Sequence, residues 1–233
     1  DYLIADSTVI PDESRQHYSE KIVRLPHSYQ TNDSKRLILD KQFSREEFGL
    51  PKEGFVFCCF NNSYKILPQT FDSWMKILHA VKDSVLWLIE DNLEANQNLR
   101  KEAQARGINP DRIIFAKRLP LAEHLARHRC ADLFLDTLPY NAHTTASDAL
   151  WAGLPVLTLT GKSFPGRVAT SLLKAIDLPE LITNTPAEYE ALAIELANKP
   201  AKLEHIKKQL EQNRLTTPLF NASLLTKNIE VAY

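Results

Sequence analysis

Phe55-Val56-Phe57-Cys58-Cys59-Phe60, Val85-Leu86-Trp87-Leu88-Ile89 and Leu133-Phe134-Leu135-Asp136 are nearly unbroken apolar runs of strand length. A strand with one wet face alternates apolar and polar residues. These runs do not, which predicts strands covered on both faces, as in a parallel sheet between helices. The intervening segments have helical spacing. Pro68 to Val81 sets Phe71, Trp74, Ile77, Leu78 and Val81 on one side. Asn92 to Arg106 is stopped by Gly107. Arg112-Ile113-Ile114-Phe115 and Pro155-Val156-Leu157-Thr158-Leu159 read as two further strands. Leu121 to Arg129, Thr144 to Ala152 (stopped at Gly153) and Arg167 to Ile176 read as helices. Helices at Pro186 to Asn198, Ala201 to Asn213 and Leu224 to Val231 complete the pattern. The alternation predicts an α/β fold, a doubly wound, Rossmann-like parallel sheet with helices after it.

The first fifty residues read differently. Asp1 to Asp6 is a short strand, and Pro11-Asp12-Glu13-Ser14 opens a polar helix running through Glu20. Pro26 to Lys35 is turn-rich and suits a linker. Ser44-Arg45-Glu46-Glu47 reads as a short capped helix ending near Gly49 and Pro51. The expected divisions are a remnant of another unit at 1–34, a linker at 35–53, a ligand-binding Rossmann-like domain at 54–215 and a C-terminal helix at 216–233. The chain opens on Asp1 and its sole methionine is Met75, which predicts a processed chain or a piece of a longer one.

Of 233 residues, 44% are hydrophobic and 24% charged, which excludes disordered, collagen-like and disulfide-scaffold classes. The 28 basic and 29 acidic residues nearly cancel, which argues against a nucleic-acid partner. Cys58, Cys59 and Cys130 are too few and odd in number for a disulfide framework, and neighbouring Cys58 and Cys59 face opposite sides of a strand. No run approaches the ~18–20 apolar residues of a membrane span, so no membrane partner is expected. A reducing, cytoplasmic setting is the expectation. Only 6 glycines occur, where average usage gives about 16, and this limits glycine-rich phosphate loops.

In open α/β sheets ligands bind beyond the carboxyl ends of the strands. Asn61-Asn62-Ser63-Tyr64-Lys65 follows the first apolar run. It lacks a glycine fingerprint, but Lys65 is either a phosphate-neutralising cation or a solvated loop lysine. Asp136 to Thr145 runs into the helix that holds Asp148. The threonines there are either plain caps or part of an anion site built from a helix start without glycine. Asp148 is placed to accept from a sugar diol. His124 and His128 have zinc-helix spacing, but Leu125 stands where the glutamate is needed, and no metal site is expected. His124 and Arg127, three apart, suit a clamp for a flat polar base. Gly161 to Val168 has P-loop glycine spacing, with Arg167 and Val168 in place of the required Lys and Ser or Thr. The three remaining elements together suit a nucleotide diphosphate.

Several ordered stretches resemble the O-linked N-acetylglucosamine transferase family. They are Phe60-Asn61-Asn62-Ser63-Tyr64-Lys65-Ile66, Ser84 to Leu88, Asp111 to Phe115, Ala131 to Thr137, His143 to Pro155 and Pro218-Leu219-Phe220-Asn221. Asp1 to Asp6 and Tyr18 to His27 resemble the end of the family's N-terminal catalytic lobe. The resemblance implies a GT-B architecture, with this chain as the C-terminal, donor-binding lobe and residues 1–34 as the remnant of the other. It implies UDP-N-acetylglucosamine as donor, UDP as product, no metal or other cofactor, and transfer to Ser or Thr hydroxyls with inversion. By resemblance Lys65 acts on the diphosphate as the catalytic cation. Asn62 stands where the family often has Gln, near the same phosphates. Arg127, His124 and the Leu119 backbone hold the uracil. His143, Thr144 and Thr145 form the diphosphate-binding helix start, and Asp148 meets the ribose. Leu121 replaces a lysine that animal members place near the ribose. The acceptor-side lobe and the tetratricopeptide array that engages protein acceptors are expected upstream of Asp1. A bacterial-type homologue is implied, because the animal inter-lobe insertion is absent. This chain by itself is expected to bind donor without turnover. The alternatives are a non-catalytic nucleotide-sugar module, or a Spindly-like transferase using GDP-fucose.

Overall fold

The computed structural model describes residues 1–232. In chain order the elements are β1 (Tyr2–Asp6), β2 (Lys21–Leu25), β3 (Phe55–Cys59), α1 (Pro68–Ala80), β4 (Ser84–Ile89), α2 (Leu93–Ala105), β5 (Ile113–Ala116), α3 (Leu121–Arg127), β6 (Leu133–Leu135), α4 (Thr144–Trp151), β7 (Val156–Leu159), α5 (Val168–Ala175), β8 (Ile182–Thr183), α6 (Pro186–Asn198), α7 (Pro200–Thr216) and α8 (Ala222–Ala232). Tyr233, the last residue of the expected 216–233 helix, lies outside the described residues.

Strands β5-β4-β3-β6-β7-β8 form one parallel six-stranded sheet. Counted from β3, this is the doubly wound order 3-2-1-4-5-6, in which the direction of strand addition reverses between β3 and β6 while the strands stay parallel. The sheet is buried on both faces: Phe57, Cys58, Cys59, Trp87, Leu133 and Phe134 have essentially no exposure. All three cysteines are free and buried, and burial raises their thiol pKa values. Helix ends follow local chemistry. The Asn92 side chain accepts from the Ala95 amide at 2.8 Å and starts α2. Proline occupies the first turn of α1, α6 and α7.

The N-terminal region departs from expectation. The helix expected through Glu20 is a 3-10 segment, Asp12–His17, with no buried residue. A polar helix with no face to pack gains nothing from continuing. The chain turns extended instead, and Lys21–Leu25 pairs parallel with Tyr2–Asp6. The charges in Lys21-Ile22-Val23-Arg24-Leu25 mask that strand. The two-residue β8, on β7, is too short to show any pattern. Similarly, the short helix near Ser44 is a 3-10 turn at Glu46–Phe48 closed by Gly49.

The stretch read as a linker is pinned rather than free. Asp6, 1% exposed, accepts from the Thr8, Val9 and Tyr29 amides and from Ser171 Oγ of α5. Gln30 Nε2 donates to Ser147 Oγ at 2.7 Å and Asn32 Nδ2 to the Leu219 carbonyl at 3.3 Å. Arg45 donates to the Cys130 and Gly54 carbonyls and pairs with Asp132 at 2.8 Å. Asp6→Ala strands three backbone donors and a hydroxyl. It is expected to destabilise this region by about 2–4 kcal/mol, read as faster hydrogen exchange at the Thr8, Val9 and Tyr29 amides while the β3–β4 amides stay protected.

Candidate functional site: three loops at the switch point

The loops after β3 and β6 meet where the sheet order reverses. Asn61, 2% exposed, ties them together: its Nδ2 donates to Thr137 Oγ1 at 2.8 Å, and its Oδ1 accepts from Thr145 Oγ1. Behind them sits Asp136, 3% exposed. It accepts from the Thr137 amide at 2.8 Å, the Ala142 amide at 2.6 Å and Thr158 Oγ1 at 2.6 Å. These donors favour the carboxylate, but burial outweighs them and pushes its pKa up to about 7.

Lys65 ends the 3-10 turn Ser63–Lys65. Its Nζ donates to the Asn141 carbonyl at 3.0 Å and lies 4.1 Å from the centroid of the Tyr140 ring. Half-burial lowers its pKa, against the pull of Asp136. The lysine is therefore docked on the neighbouring loop while staying partly exposed. Asn62 lies at the rim, where its Oδ1 accepts from Arg118 at 3.3 Å. Asp91 beside it accepts from Ser63 Oγ at 2.7 Å and pairs with Arg118 at 3.6 Å.

α4 begins at Thr144, with His143 as its cap residue. The first amides of a helix have no intrahelical acceptor, and Thr144 is exposed. His143 Nε2 donates to the Pro165 carbonyl at 3.2 Å, and burial lowers the ring's pKa. Asp148, one turn on and 7% exposed, pairs with Arg36. Burial raises the Asp148 pKa and Arg36 opposes it. Sequence reading did not find this partner, because Arg36 lies 112 residues away in a segment read as linker. Any donor that reaches Asp148 thus shares the carboxylate with a guanidinium.

His124 and Arg127 lie together on α3, but not as two faces of a base clamp. Arg127 is 1% exposed. It donates to the Lys117 carbonyl and to His124 Nδ1, and its guanidinium lies 4.7 Å from the Phe60 ring. Stacking of Arg127 on a base is closed off by Phe60 and by its own burial; what it holds is His124 and the loop leading to Leu119. With Nδ1 accepting, the neutral His124 ring carries its proton on Nε2. Burial drives its pKa down to about 2, so it stays neutral. His128 is buried, with its Nδ1 on the His124 carbonyl and its pKa down to about 4. Among the described residues no group of three or more His, Cys, Asp or Glu is placed to hold a metal ion. Leu121 is exposed at the start of α3. The Gly161–Gly166 loop closes on itself through Gly161 N–H to the Gly166 carbonyl at 2.7 Å. A Cβ on Gly166 would sit 2.9 Å from the Pro139 carbonyl, so close backbone approach explains that glycine spacing. No helix among the described residues is long and apolar enough to cross a membrane.

The parallel six-stranded sheet flanked by helices is that of the GT-B glycosyltransferases. The model of glycosyl transferase family 41 matches residues 41–229, and the chain belongs to that family. It is 41% identical, over its whole length, to 24% of a probable UDP-N-acetylglucosamine–peptide N-acetylglucosaminyltransferase named SEC from Arabidopsis thaliana. It is 30% identical, again over its whole length, to 25% of a probable enzyme of the same description named SPINDLY from Petunia hybrida. Among solved structures, a K341M mutant of the Thermobaculum terrenum O-GlcNAc transferase superposes with a TM-score of 0.86 at 30% identity, covering all of this chain and 44% of that one. The chain thus spans about a quarter of the length of these curated relatives.

Three substitutions test the geometry. Arg36→Met strands a buried carboxylate and is expected to cost about 3–5 kcal/mol. Arg127→Met strands no carboxylate but leaves the Lys117 carbonyl and His124 Nδ1 without their donor, and is expected to cost about 1–3 kcal/mol, both by urea unfolding. For Asp136, the native state holds a proton that the unfolded chain releases near pH 4. Its contribution to stability therefore falls as pH rises from about 4 to about 7 and then levels off. Asp136→Asn keeps the two amide bonds, and the variant is expected to gain stability relative to wild type across that same window.

Proposed function

We propose that this chain is the donor-binding lobe of a protein O-GlcNAc transferase, which transfers N-acetylglucosamine from UDP to Ser or Thr hydroxyls. One observation carries the reading: a buried-carboxylate scaffold brings a docked cation, a helix start and a neutral histidine to one sheet edge, at the position where open α/β sheets bind nucleotides. The relatives that share the family are named for this activity. Residues 1–34 are the edge of the acceptor-side lobe in this reading, and 54–215 form the donor domain.

The chemistry follows from the side chains. The acceptor hydroxyl oxygen attacks the anomeric carbon as the carbon's bond to the diphosphate breaks, with inversion, and the hydroxyl proton passes to the departing diphosphate or to solvent. Negative charge then grows on the departing phosphate. Lys65, with N–H groups beyond the one given to Asn141, stabilises it, together with the free amides of Thr144 and Thr145. Asn62 adds a polar contact at the rim. His124, neutral with Nε2–H available, donates to a carbonyl on the base edge beside the Leu119 backbone, and Arg127 holds that histidine. Asp148, paired with Arg36, accepts from the ribose. These residues supply the charge neutralisation themselves, so the proposed reaction uses no metal. A cytoplasmic setting agrees with three buried, unpaired thiols. The acceptor protein is bound by other parts of the full-length protein, through the helical repeats that the resemblance implies.

Calorimetric titration of the chain with UDP and GDP tests the donor class. UDP is expected to bind below millimolar concentration and more tightly than GDP; the reverse order overturns the UDP reading in favour of a Spindly-like donor. Lys65→Ala is expected to weaken UDP by about 10–100-fold. In the wild type, UDP affinity falls with rising pH as Lys65 loses its proton, below the ordinary lysine range.

A further inference from the structure

Tyr140 was passed over in the sequence, yet it touches two elements of the proposed diphosphate site at once. It sits at the tip of the loop that Asp136 pins, and 43% of it is exposed. Its ring stacks on His143 with centroids 4.8 Å apart and planes 22° apart. The Lys65 ammonium lies 4.1 Å from the same ring. The next residue supplies the carbonyl that accepts from Lys65 at 3.0 Å.

The way this lysine is held has a consequence for binding. A lysine on a surface turn loses its rotamer freedom when it engages a phosphate. Here that freedom is already restricted. The partners that restrict it are an aromatic face and a carbonyl, neither of which neutralises the charge. A carboxylate in the same place would compete with the phosphate. The nearby carboxylate, Asp136, spends its oxygens on Thr137, Ala142 and Thr158. Meanwhile the stacked ring fixes His143, the residue that leads into the open amides of α4.

We infer that Tyr140 is a positioning residue for the diphosphate: its ring preorders Lys65 and His143 around the space between them. This rests on the reading of the site as a nucleoside-diphosphate site. Only the ring is needed, since no hydrogen bond from the Tyr140 hydroxyl enters the argument.

The test compares UDP with uridine, by NMR-detected titration of the wild-type chain, Tyr140→Phe and Tyr140→Leu, each checked for an unchanged urea midpoint. Tyr140→Leu is expected to weaken UDP about three- to tenfold and leave uridine unchanged, while Tyr140→Phe matches wild type for both. Lys65→Met should remove most of the effect, so that adding Tyr140→Leu to it changes UDP affinity by less than twofold. Equal loss of UDP and uridine affinity in Tyr140→Leu would mean a general structural role and would overturn the inference, as would full additivity with Lys65→Met. A wild-type chain that binds UDP while Tyr140→Leu binds it equally well sinks the positioning role alone. A wild-type chain that binds no UDP sinks the site reading beneath it.

Discussion

The carboxylate of Asp136 is the node on which the carboxyl edge of the sheet depends. It ends β6, where the strand order reverses, and the loop from Thr137 to Ala142 closes around it because both ends of that loop donate to its Oδ1. Its Oδ2 holds Thr158 on β7. Its main-chain carbonyl accepts from the Tyr189 hydroxyl on α6, which in turn accepts from Trp74 Nε1 on α1. One residue thus couples two strands, two helices and a loop. A buried carboxyl tolerates that position only because donors satisfy it, and its raised pKa records the remaining cost of burial.

The electrostatics of the edge follow from that arrangement. The histidines near the crevice are held neutral by burial. The cations are held without being cancelled: Lys65 by a carbonyl and a ring, Arg127 by a carbonyl, an imidazole and Phe60. Arg36 is matched to the carboxylate read as the ribose acceptor, and Arg118 at the rim to Asp91. An anion entering the crevice meets positive charge that no internal partner has neutralised. Such a site lowers the stability of the empty protein in exchange for affinity.

Much of the fold was legible because the sheet is buried on both faces. Continuous apolar runs such as Phe55 to Phe60 leave no other reading, and Asn92, Gly107 and Pro186 punctuate the helices by local chemistry. What was illegible lacked a local signature. β2, Lys21-Ile22-Val23-Arg24-Leu25, has neither a continuous apolar run nor strict alternation, and it pairs only with β1. β8 is two residues long. The segment around Gln30 and Arg36 is polar, which suggests a linker, but Gln30 and Arg36 bond to α4 and Asn32 to the 218–220 turn.

For the site, sequence alone determined which residue types line the edge. Lys65, His124, Arg127, His143 and Asp148 all follow strands in a doubly wound order, and topology sends such loops to one side. Tertiary structure decided what each one does there. It turned Arg127 inward behind His124, tied Asp148 to Arg36 and laid Lys65 on Tyr140. The reason is physical. Strand and helix periodicity are written in neighbours a few residues apart, whereas the partners that hold Lys65 and Asp148 lie 75 to 112 positions away.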